Sequence, residues 1–226
     1  LAYLLKTAES MAKLAPEDPE FIGSAGACKL PEVNNCDAET KELQPKQMVD
    51  IVQQAIDKAK AMDATVSGMT EKHFGEYHLI TKNGFVGCDS STQFGHSMTL
   101  KKGSVETKVD YDAKRFAPFC LDKDFTRLAA QAEALQGMQN FEPEKIAVIL
   151  RPGALQELIW FMGWMMNRRQ SDEGFTPFTG QLDKPFFGDK FSWFSTLKQK
   201  ELIANPFNHE GIAATELSWV ENGVLK

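Results

Sequence analysis

The stretch Glu76-Tyr77-His78-Leu79-Ile80-Thr81-Lys82-Asn83-Gly84-Phe85-Val86-Gly87-Cys88 sets the architecture of this chain. Two β-prone runs flank Asn83-Gly84, a pair that readily adopts the positive φ angles of a tight hairpin turn. A second turn is expected at Lys102-Gly103, between strands around Gln93 to Leu100 and Val105 to Tyr111. These features predict an antiparallel β-meander in the middle of the chain.

Helices are predicted on both sides of this meander. From Pro45 onward, apolar residues recur with helical spacing from Met48 to Ala59, which predicts the clearest helix of the chain. The segment Ala2 to Leu14 has the pattern of an amphipathic helix that ends before Pro16. A further helix is predicted over Asp122 to Gln139, with the aspartate as its capping residue.

The C-terminal part of the chain mixes one apolar helix with short strands. A strand is predicted over Lys145 to Leu150, and Arg151-Pro152-Gly153 introduces a helix. Short strands are predicted at Phe191 to Leu197 and Thr215 to Val220. The helix that follows Arg151-Pro152-Gly153 has apolar residues around nearly its whole circumference, so we expect it to be buried on every side. These apolar residues are Leu155, Leu158, Ile159, Trp160, Phe161, Met162, Trp164, Met165 and Met166.

These elements predict an α+β fold, in which helices pack on antiparallel sheets. Three regions are expected. Residues 1–37 form the end of an N-terminal region and a linker, and residues 38–142 form a central α/β domain that contains the meander. Residues 143–226 form a partial, β-rich C-terminal domain.

The composition narrows the classes of function. A chain of 226 residues with 42% hydrophobic residues is long and apolar enough to bury a core. The formal net charge of −6 disfavours nucleic acid as a partner. No run approaches the roughly 18 consecutive apolar residues of a membrane span.

The cysteines and the first residues predict where the protein is found. Cys28, Cys36, Cys88 and Cys120 are too widely spaced for a dense disulfide framework or a Cys-x-x-Cys clamp. Free thiols in a reducing cytoplasm are predicted. The chain starts at Leu1 without a Met and without the features of a secretory signal, so an internal start is expected.

Zinc hydrolysis would need histidines or carboxylates grouped around one ion. His209-Glu210 begins like the His-Glu-x-x-His motif of zinc peptidases, but Ala213 occupies the position of the second histidine. Gly211 also disfavours a helix. A polar loop is therefore predicted here.

The other histidines do not form an obvious set of ligands. His73 and His78 are five residues apart in a predicted strand, so they should point to opposite faces. His96 would pair with Cys88 only if the hairpin register aligned them. We therefore predict no metal site, no cofactor and no catalytic residue.

Two further sets of residues are candidates for catalytic groups: a nucleophile, and an acid with a base. Cys88 carries no recognisable nucleophile motif and is interpreted as structural. The carboxylates Asp172, Glu173, Asp183 and Asp189 are candidates for a general acid and base, but in a loop rich in Gly and Pro they are more typical of solvated or capping groups.

A dense group of aromatic residues forms either a core or an interface. Nearby Met and Trp side chains offer an adaptable apolar surface. The group comprises Phe175, Phe178, Phe186, Phe187, Phe191, Trp193 and Phe194, and the adjacent surface comprises Trp160, Trp164, Met165 and Met166.

Two C-terminal stretches resemble signatures of the TldD/PmbA family of metallopeptidase-type proteins. They are Pro-Phe-Asn-His-Glu-Gly-Ile-Ala-Ala-Thr at 206–215 and Glu-Asn-Gly-Val-Leu-Lys at 221–226. Val148 to Ala154 is similar to the family's entry into its site helix, and weaker similarities extend along essentially the whole chain. The first signature departs from the family pattern where Asn208-His209 replaces Asp-Asp and Ala214 replaces Pro.

The resemblance implies a subunit without zinc. TldD-type members carry a His-Glu-x-x-x-His on the site helix. Matching Gly163 to the glycine of that motif places Ile159, Trp160 and Trp164 at the ligand positions, and none of these side chains binds zinc. The resemblance thus implies a PmbA/TldE-like member that pairs with a TldD-like zinc-bearing homologue, or with itself. Such an assembly acts in the cytoplasm on small or unfolded peptides. By the same resemblance, the sequence is expected to be a fragment.

Two alternatives stay open at this point. One is an active hydrolase with an atypical site around His209, Glu210 and Asp172. The other is a non-enzymatic scaffold that binds peptides.

Overall fold

Three long antiparallel strands occupy the middle of the chain, with helices before and after them. The computed structural model describes residues 1–137, 142 and 145–226. Its elements are α1 (Ala2–Leu14), α2 (Ala38–Glu42), α3 (Pro45–Ala61), β1 (Thr65–Ile80), β2 (Val86–Lys102), β3 (Val105–Ala113), α4 (Leu121–Ala134), α5 (Pro152–Met165), α6 (Arg168–Asp172), β4 (Trp193–Ser195), β5 (Leu217–Glu221) and β6 (Val224–Leu225).

The central sheet has the strand order β1-β2-β3 and confirms the predicted meander. The pairing of β1 with β2 runs without a register shift from Thr65 opposite Lys101 to Ile80 opposite Val86. Both predicted turns form, and each contains a glycine at positive φ: Gly84 at 92° and Gly103 at 61°. The short strands predicted from the sequence are thus parts of two continuous strands of 16 and 17 residues.

The main core lies between one face of this sheet and two helices. Met98 and Leu100 of β2 are buried together with residues of α3 and α4. The helix predicted from Pro45 is confirmed, and its Ala55 and Ala59 face the core as the helical spacing requires. Leu128 of α4 is fully buried against the sheet.

Helix α4 differs in detail from its prediction. It starts at Leu121, with Cys120 rather than Asp122 at the capping position. Asp122 and Asp124 lie in the first turn, where negative charge is favourable near the helix N-terminus. The helix ends at Ala134, whereas the predicted end at Gln139 lies outside the described residues.

The C-terminal part contains a second, smaller sheet with the strand order β4-β5-β6. Its buried core consists of Phe178, Val220 and Leu225. The aromatic group of the sequence divides here. Phe187, Phe191 and Trp193 pack on this core, but Phe175 and Phe194 are exposed. The core interpretation is therefore confirmed for part of the group, and an interface at its exposed members stays a prediction.

Two predictions for the segment before this sheet are wrong. Residues 145–150 form no strand, and Ile149 is 97% exposed, because no strand in the described part of the chain pairs with them. Helix α5 forms as predicted, but none of its residues is buried. Among the described residues, the helix meets the small core on the side of Met162, and Trp160 and Trp164 on its other sides are 66% and 73% exposed.

The architecture is the α+β class predicted from the sequence, with helices packed on antiparallel sheets. The division into residues 1–37, 38–142 and 143–226 stays a prediction. Within the described residues, no helix is both long enough and apolar enough to span a bilayer.

Candidate functional site

A cleft of about 720 Å³ lies between the β1–β2 hairpin and the C-terminal segment 205–219. The hairpin contributes Tyr77 and Asp89, which are paired across the two strands. By strand alternation, these residues lie on the face opposite to that of Met98 and Leu100. The two faces of the sheet therefore serve different purposes: one is packed by helices, and the other supports the cleft.

Phe207 anchors the C-terminal segment to the hairpin. Its ring stacks on Tyr77 with centroids 5.6 Å apart and meets Phe85 edge-on at 5.3 Å. Gly87 makes this contact possible, because a Cβ atom there would lie 2.7 Å from the Phe207 ring. A glycine inside a strand often marks such a close approach. The position of the cleft wall is thus fixed by aromatic packing.

The loop that follows Phe207 is a tight turn rather than a helix. The Asn208 Oδ1 atom accepts hydrogen bonds from the backbone N–H groups of Glu210 and Ile212, at 3.0 and 2.9 Å. Gly211 has a φ of 86°, which a non-glycine residue rarely adopts. The predicted loop is confirmed, and its geometry rules out a helical zinc motif that starts at His209.

His209 lies at the rim of the cleft, beside Tyr77. Its Nδ1 atom is 3.5 Å from the Tyr77 hydroxyl, and the two rings meet edge-on. Asp172 belongs to α6, where it pairs with Arg168 at 2.8 Å. Among the described residues, no hydrogen bond or ion pair joins Asp172 to His209 or Glu210. The structure therefore does not bring the atypical hydrolase trio together.

The cleft combines aromatic walls with carboxylates. Glu76 and Asp89 line it, and the lining residues that the structure describes include no Lys or Arg. Asp89 is held in place by the Asn35 side-chain amide, which donates to it at 2.9 Å. Such a surface suits an apolar ligand segment with neutral or positive polar groups.

The remaining histidines are dispersed. His73 lies 3.2 Å from Glu71 and His78 lies 3.8 Å from Glu76, on opposite strand faces as predicted. The register places Cys88 opposite His78, so the pairing of Cys88 with His96 that the sequence left open does not occur. Across the described ranges, no group of three or more His, Cys, Asp or Glu side chains is arranged to hold a metal ion.

His96 itself is a core residue. Its Nδ1 atom lies 2.8 Å from the Thr70 hydroxyl, and its Nε2 atom has no hydrogen-bond partner among the described residues. Burial lowers the pKa of His96, although the nearby Asp124 acts weakly in the opposite direction.

The carboxylates considered as an acid and base pair are also separate. Glu173 pairs with Arg169 at 3.1 Å, just as Asp172 pairs with Arg168. Asp183 occupies a turn at a φ of 59°, and Asp189 is exposed. They have the structural roles that the sequence favoured.

A second candidate surface is an apolar groove of about 690 Å³ along α5. Trp193 of β4 closes its base and approaches Gly163, where a Cβ atom would lie 3.1 Å from the indole. Ile159, Trp160 and Trp164 line the groove. These are the residues that the family resemblance places at the ligand positions of the site helix.

A family model describes the C-terminal part of the chain. Residues 143–226 match the PmbA/TldA metallopeptidase C-terminal domain. This part of the chain is therefore similar to the C-terminal domain of PmbA/TldA-type proteins. The signatures at 206–215 and 221–226, on which the resemblance rested, lie within this match. The chain matches no curated protein sequence significantly.

Solved structures share the fold over nearly the whole chain. TldE from Thermococcus kodakarensis superimposes with a TM-score of 0.87 at 19% identity over 98% of the chain. A Thermotoga maritima protein named as a modulator of a DNA gyrase gives 0.84 at 19% identity over 97%. A Bacteroides thetaiotaomicron protein with a similar name gives 0.75 at 17% identity over 96%. The chain spans 52% of the length of each of these three proteins.

Sequence reasoning found the C-terminal signature but missed the other wall of the cleft. Tyr77 and Phe85 are more than 100 residues from Phe207 in the sequence, so no local pattern links them. The one available signal was Gly87, a glycine within a run that otherwise predicts a strand.

Proposed function

We propose that this chain is a PmbA/TldE-like subunit that lacks a zinc site of its own. It pairs with a TldD-like zinc-bearing homologue in a cytoplasmic assembly that processes small peptides. The family match at 143–226 supports the general assignment. The apolar side chains of α5 support a PmbA/TldE-like member, which lacks a zinc site, over a TldD-like member.

The exposed apolar surface of α5 carries this proposal. Indole and aliphatic side chains offer no ligand to zinc, and Ile159, Trp160 and Trp164 occupy the relevant positions along the groove. The two indole rings stack with centroids 6.5 Å apart. Large exposed aromatic surfaces are typical of protein interfaces. The helix is thus suited to bury its apolar side against another subunit.

The test is a mixing experiment with metal analysis. The purified chain is expected to contain no stoichiometric zinc and to show no peptidase activity alone. Activity should follow the addition of a zinc-bearing homologue from the same cell. Stoichiometric zinc in the chain by itself would contradict the proposal.

Truncation of the α5 surface sharpens this test. Trp160→Ala combined with Trp164→Ala should weaken association with the homologue at least tenfold, because buried Trp residues often dominate interface energies (roughly 2 kcal/mol or more each). Ile80→Ala is a matched control, since Ile80 is also exposed but lies at the tip of the β1–β2 hairpin. Analytical ultracentrifugation of the mixtures measures the difference. Equal binding by both variants would argue against α5 as the interface.

A peptide-binding scaffold without an enzymatic partner is the second candidate, and the cleft around Tyr77 and Phe207 favours it. Purification from the native cell separates the two candidates. Recovery of a zinc-containing homologue with the chain supports the subunit, and recovery of peptides without such a homologue supports the scaffold.

The atypical hydrolase around His209, Glu210 and Asp172 is disfavoured by their separation. His209→Ala tests it directly. If zinc were bound by the chain and lost in this variant, the hydrolase would replace the partner subunit as the explanation.

A further inference from the structure

A smaller cavity of about 300 Å³ lies where three distant parts of the chain meet. They are the linker at residues 34–37, residues 114–115 directly after β3, and the C-terminal segment at 197–200. The backbone N–H of Lys114 donates to the Glu201 carbonyl at 3.0 Å, which holds two of these parts together. The cavity is therefore built by tertiary contacts rather than by one flexible loop.

The walls of this cavity are unusually basic for a chain with a net charge of −6. Four cationic side chains and one carboxylate, Asp37, line it. Two further carboxylates form ion pairs with the lining cations: Glu201 pairs with Arg115, and Glu216 pairs with Lys198 at 3.2 Å. Four positive and three negative charges leave a balance of +1. The lining cations are Lys114, Arg115, Lys198 and Lys200.

Lys114 is the cation of this cavity that is most in need of compensation, because its side chain is buried. The residue is only 9% exposed. Its ammonium donates to the Asn34 carbonyl, and no ion pair to it is found in the described part of the chain. An ammonium has three N–H donors, and burial of a cation is costly unless other groups compensate it. An anion in the cavity would supply that compensation.

The nearest carboxylates are already occupied. Arg115 uses its Nε and Nη2 groups to bind Glu201, and this hydrogen bond is the main reason that the pKa of Glu201 is lowered. The Asp37 Oδ2 atom accepts from both the backbone N–H and the hydroxyl of Thr40 at the start of α2. Both carboxylates thus have fixed structural partners.

We propose that this cavity binds the carboxylate of a small ligand between Lys114, Arg115 and Lys200. The balance of one positive charge matches a single carboxylate better than a dianion such as phosphate. Guanidinium and ammonium groups form strong, charge-assisted hydrogen bonds with carboxylates. A volume near the lower end of ligand pockets suits one or two amino-acid residues. All of the side chains that the proposal uses come from this chain.

The experiment is an NMR titration of the ¹⁵N-labelled chain with two matched probes. N-acetyl-dialanine with a free carboxylate should produce saturable shifts of the amide signals of residues 114–115 and 198–200. The same peptide with a C-terminal carboxamide should bind about tenfold more weakly or not at all, because it lacks the charge. Equal binding of both peptides would overturn the proposal.

A substitution in the pocket provides an independent test. Lys200→Gln should weaken binding of the free-carboxylate peptide by about threefold to tenfold, and the exposed position of Lys200 preserves the fold. Lys108→Gln is the matched control, since Lys108 lies on β3 and pairs with Asp110 away from the cavity. Unchanged binding in Lys200→Gln would count against the site, provided that both variants melt at the same temperature as the parent chain.

Inorganic phosphate serves as the competing probe. The charge balance predicts that phosphate shifts the same signals only at higher concentrations than the peptide carboxylate. Tighter binding of phosphate would refute the carboxylate assignment. Because every titration uses the chain without a homologue, none of these results depends on the assembly proposed above.

Discussion

The central sheet and helix α5 both contain large apolar residues, but those of the sheet are buried and those of the helix are exposed. Phe94 and Leu100 of β2 and Leu128 of α4 are completely buried. Trp160 and Trp164 of α5 are as large or larger, yet most of their surface is exposed. The difference lies in the partners that the chain itself provides. The sheet has helices α3 and α4 over one face, whereas α5 meets the small C-terminal core on one side and exposes most of its remaining apolar surface to solvent in the part of the chain that the structure describes.

This comparison shows what an apolar pattern does and does not reveal. A one-sided stripe, as in α3, predicts which side of a helix meets a core. A helix that is apolar all round only indicates that more than one surface is available to cover it. For α5, the small core supplies one such surface, and a second subunit is our proposal for the other.

The largest effect is expected from a substitution in the core that the central sheet forms with α3 and α4. Leu128→Ala should lower the free energy of unfolding by about 2–5 kcal/mol, because it opens a cavity between α4 and the sheet. Urea unfolding followed by far-UV circular dichroism measures this loss. Leu14→Ala is the control, since Leu14 is exposed at the end of α1 and should change stability by less than about 0.5 kcal/mol.

A smaller loss is expected from the C-terminal core. Val220→Ala removes two buried carbon atoms and should cost about 2 kcal/mol. All four tryptophans, at positions 160, 164, 193 and 219, lie in this part of the chain, so their fluorescence reports on it selectively. The fluorescence midpoint should fall more than the circular dichroism midpoint. An equal fall in both would show that the two cores unfold as one unit.

The pH dependence of stability tests the buried histidine of the central sheet. Because burial lowers the pKa of His96 in the folded state, the unfolded chain binds a proton more readily. Stability from this group is therefore complete above about pH 6.5 and is lost as the pH falls toward the folded pKa.

The measurement is the free energy of unfolding between pH 7.5 and pH 5. His96→Gln should flatten its decline on the acid side. His73→Gln should leave the decline unchanged, since the His73 side chain is 64% exposed. The same slope in the parent chain and in His96→Gln would contradict this account.

The smallest effect on stability is expected at α5. Trp164→Ala should change the free energy of unfolding by less than about 0.5 kcal/mol, because the side chain makes few contacts within the chain. Thermal or urea unfolding of the isolated chain is sufficient to check this. A loss comparable to that of Leu128→Ala would mean that α5 is buried in the isolated chain, and the comparison would fail.

Local signals account for the parts of the fold that could be predicted. Asn83-Gly84 and Lys102-Gly103 specify their turns through backbone conformation, and the stripe in α3 specifies its buried face. The strand expected at 145–150 did not form, because an apolar run also needs a neighbouring strand to pair with. Local sequence patterns specify turns and the buried face of a helix, but they do not specify which distant strand an apolar run will pair with.

The candidate sites show the same limit more strongly. The loop at His209 was predicted correctly, because Gly211 disfavours a helix by its own chemistry. The wall formed by Tyr77 and Phe85, and the basic cavity around Lys114, depend on contacts between distant segments. No periodicity or local motif encodes such contacts.

One buried side chain joins segments of the chain that are made at very different times. The Asn35 amide donates to Asp89 and to the Ala204 carbonyl, and its Oδ1 atom accepts from the Ala204 N–H at 2.9 Å. Asp89 is 54 residues away in the sequence, whereas Ala204 is 169 residues away. During synthesis, the bond to Asp89 can therefore form long before Ala204 leaves the ribosome. The junction between the linker and the C-terminal segment can close only after Ala204 has been made, 169 residues after Asn35.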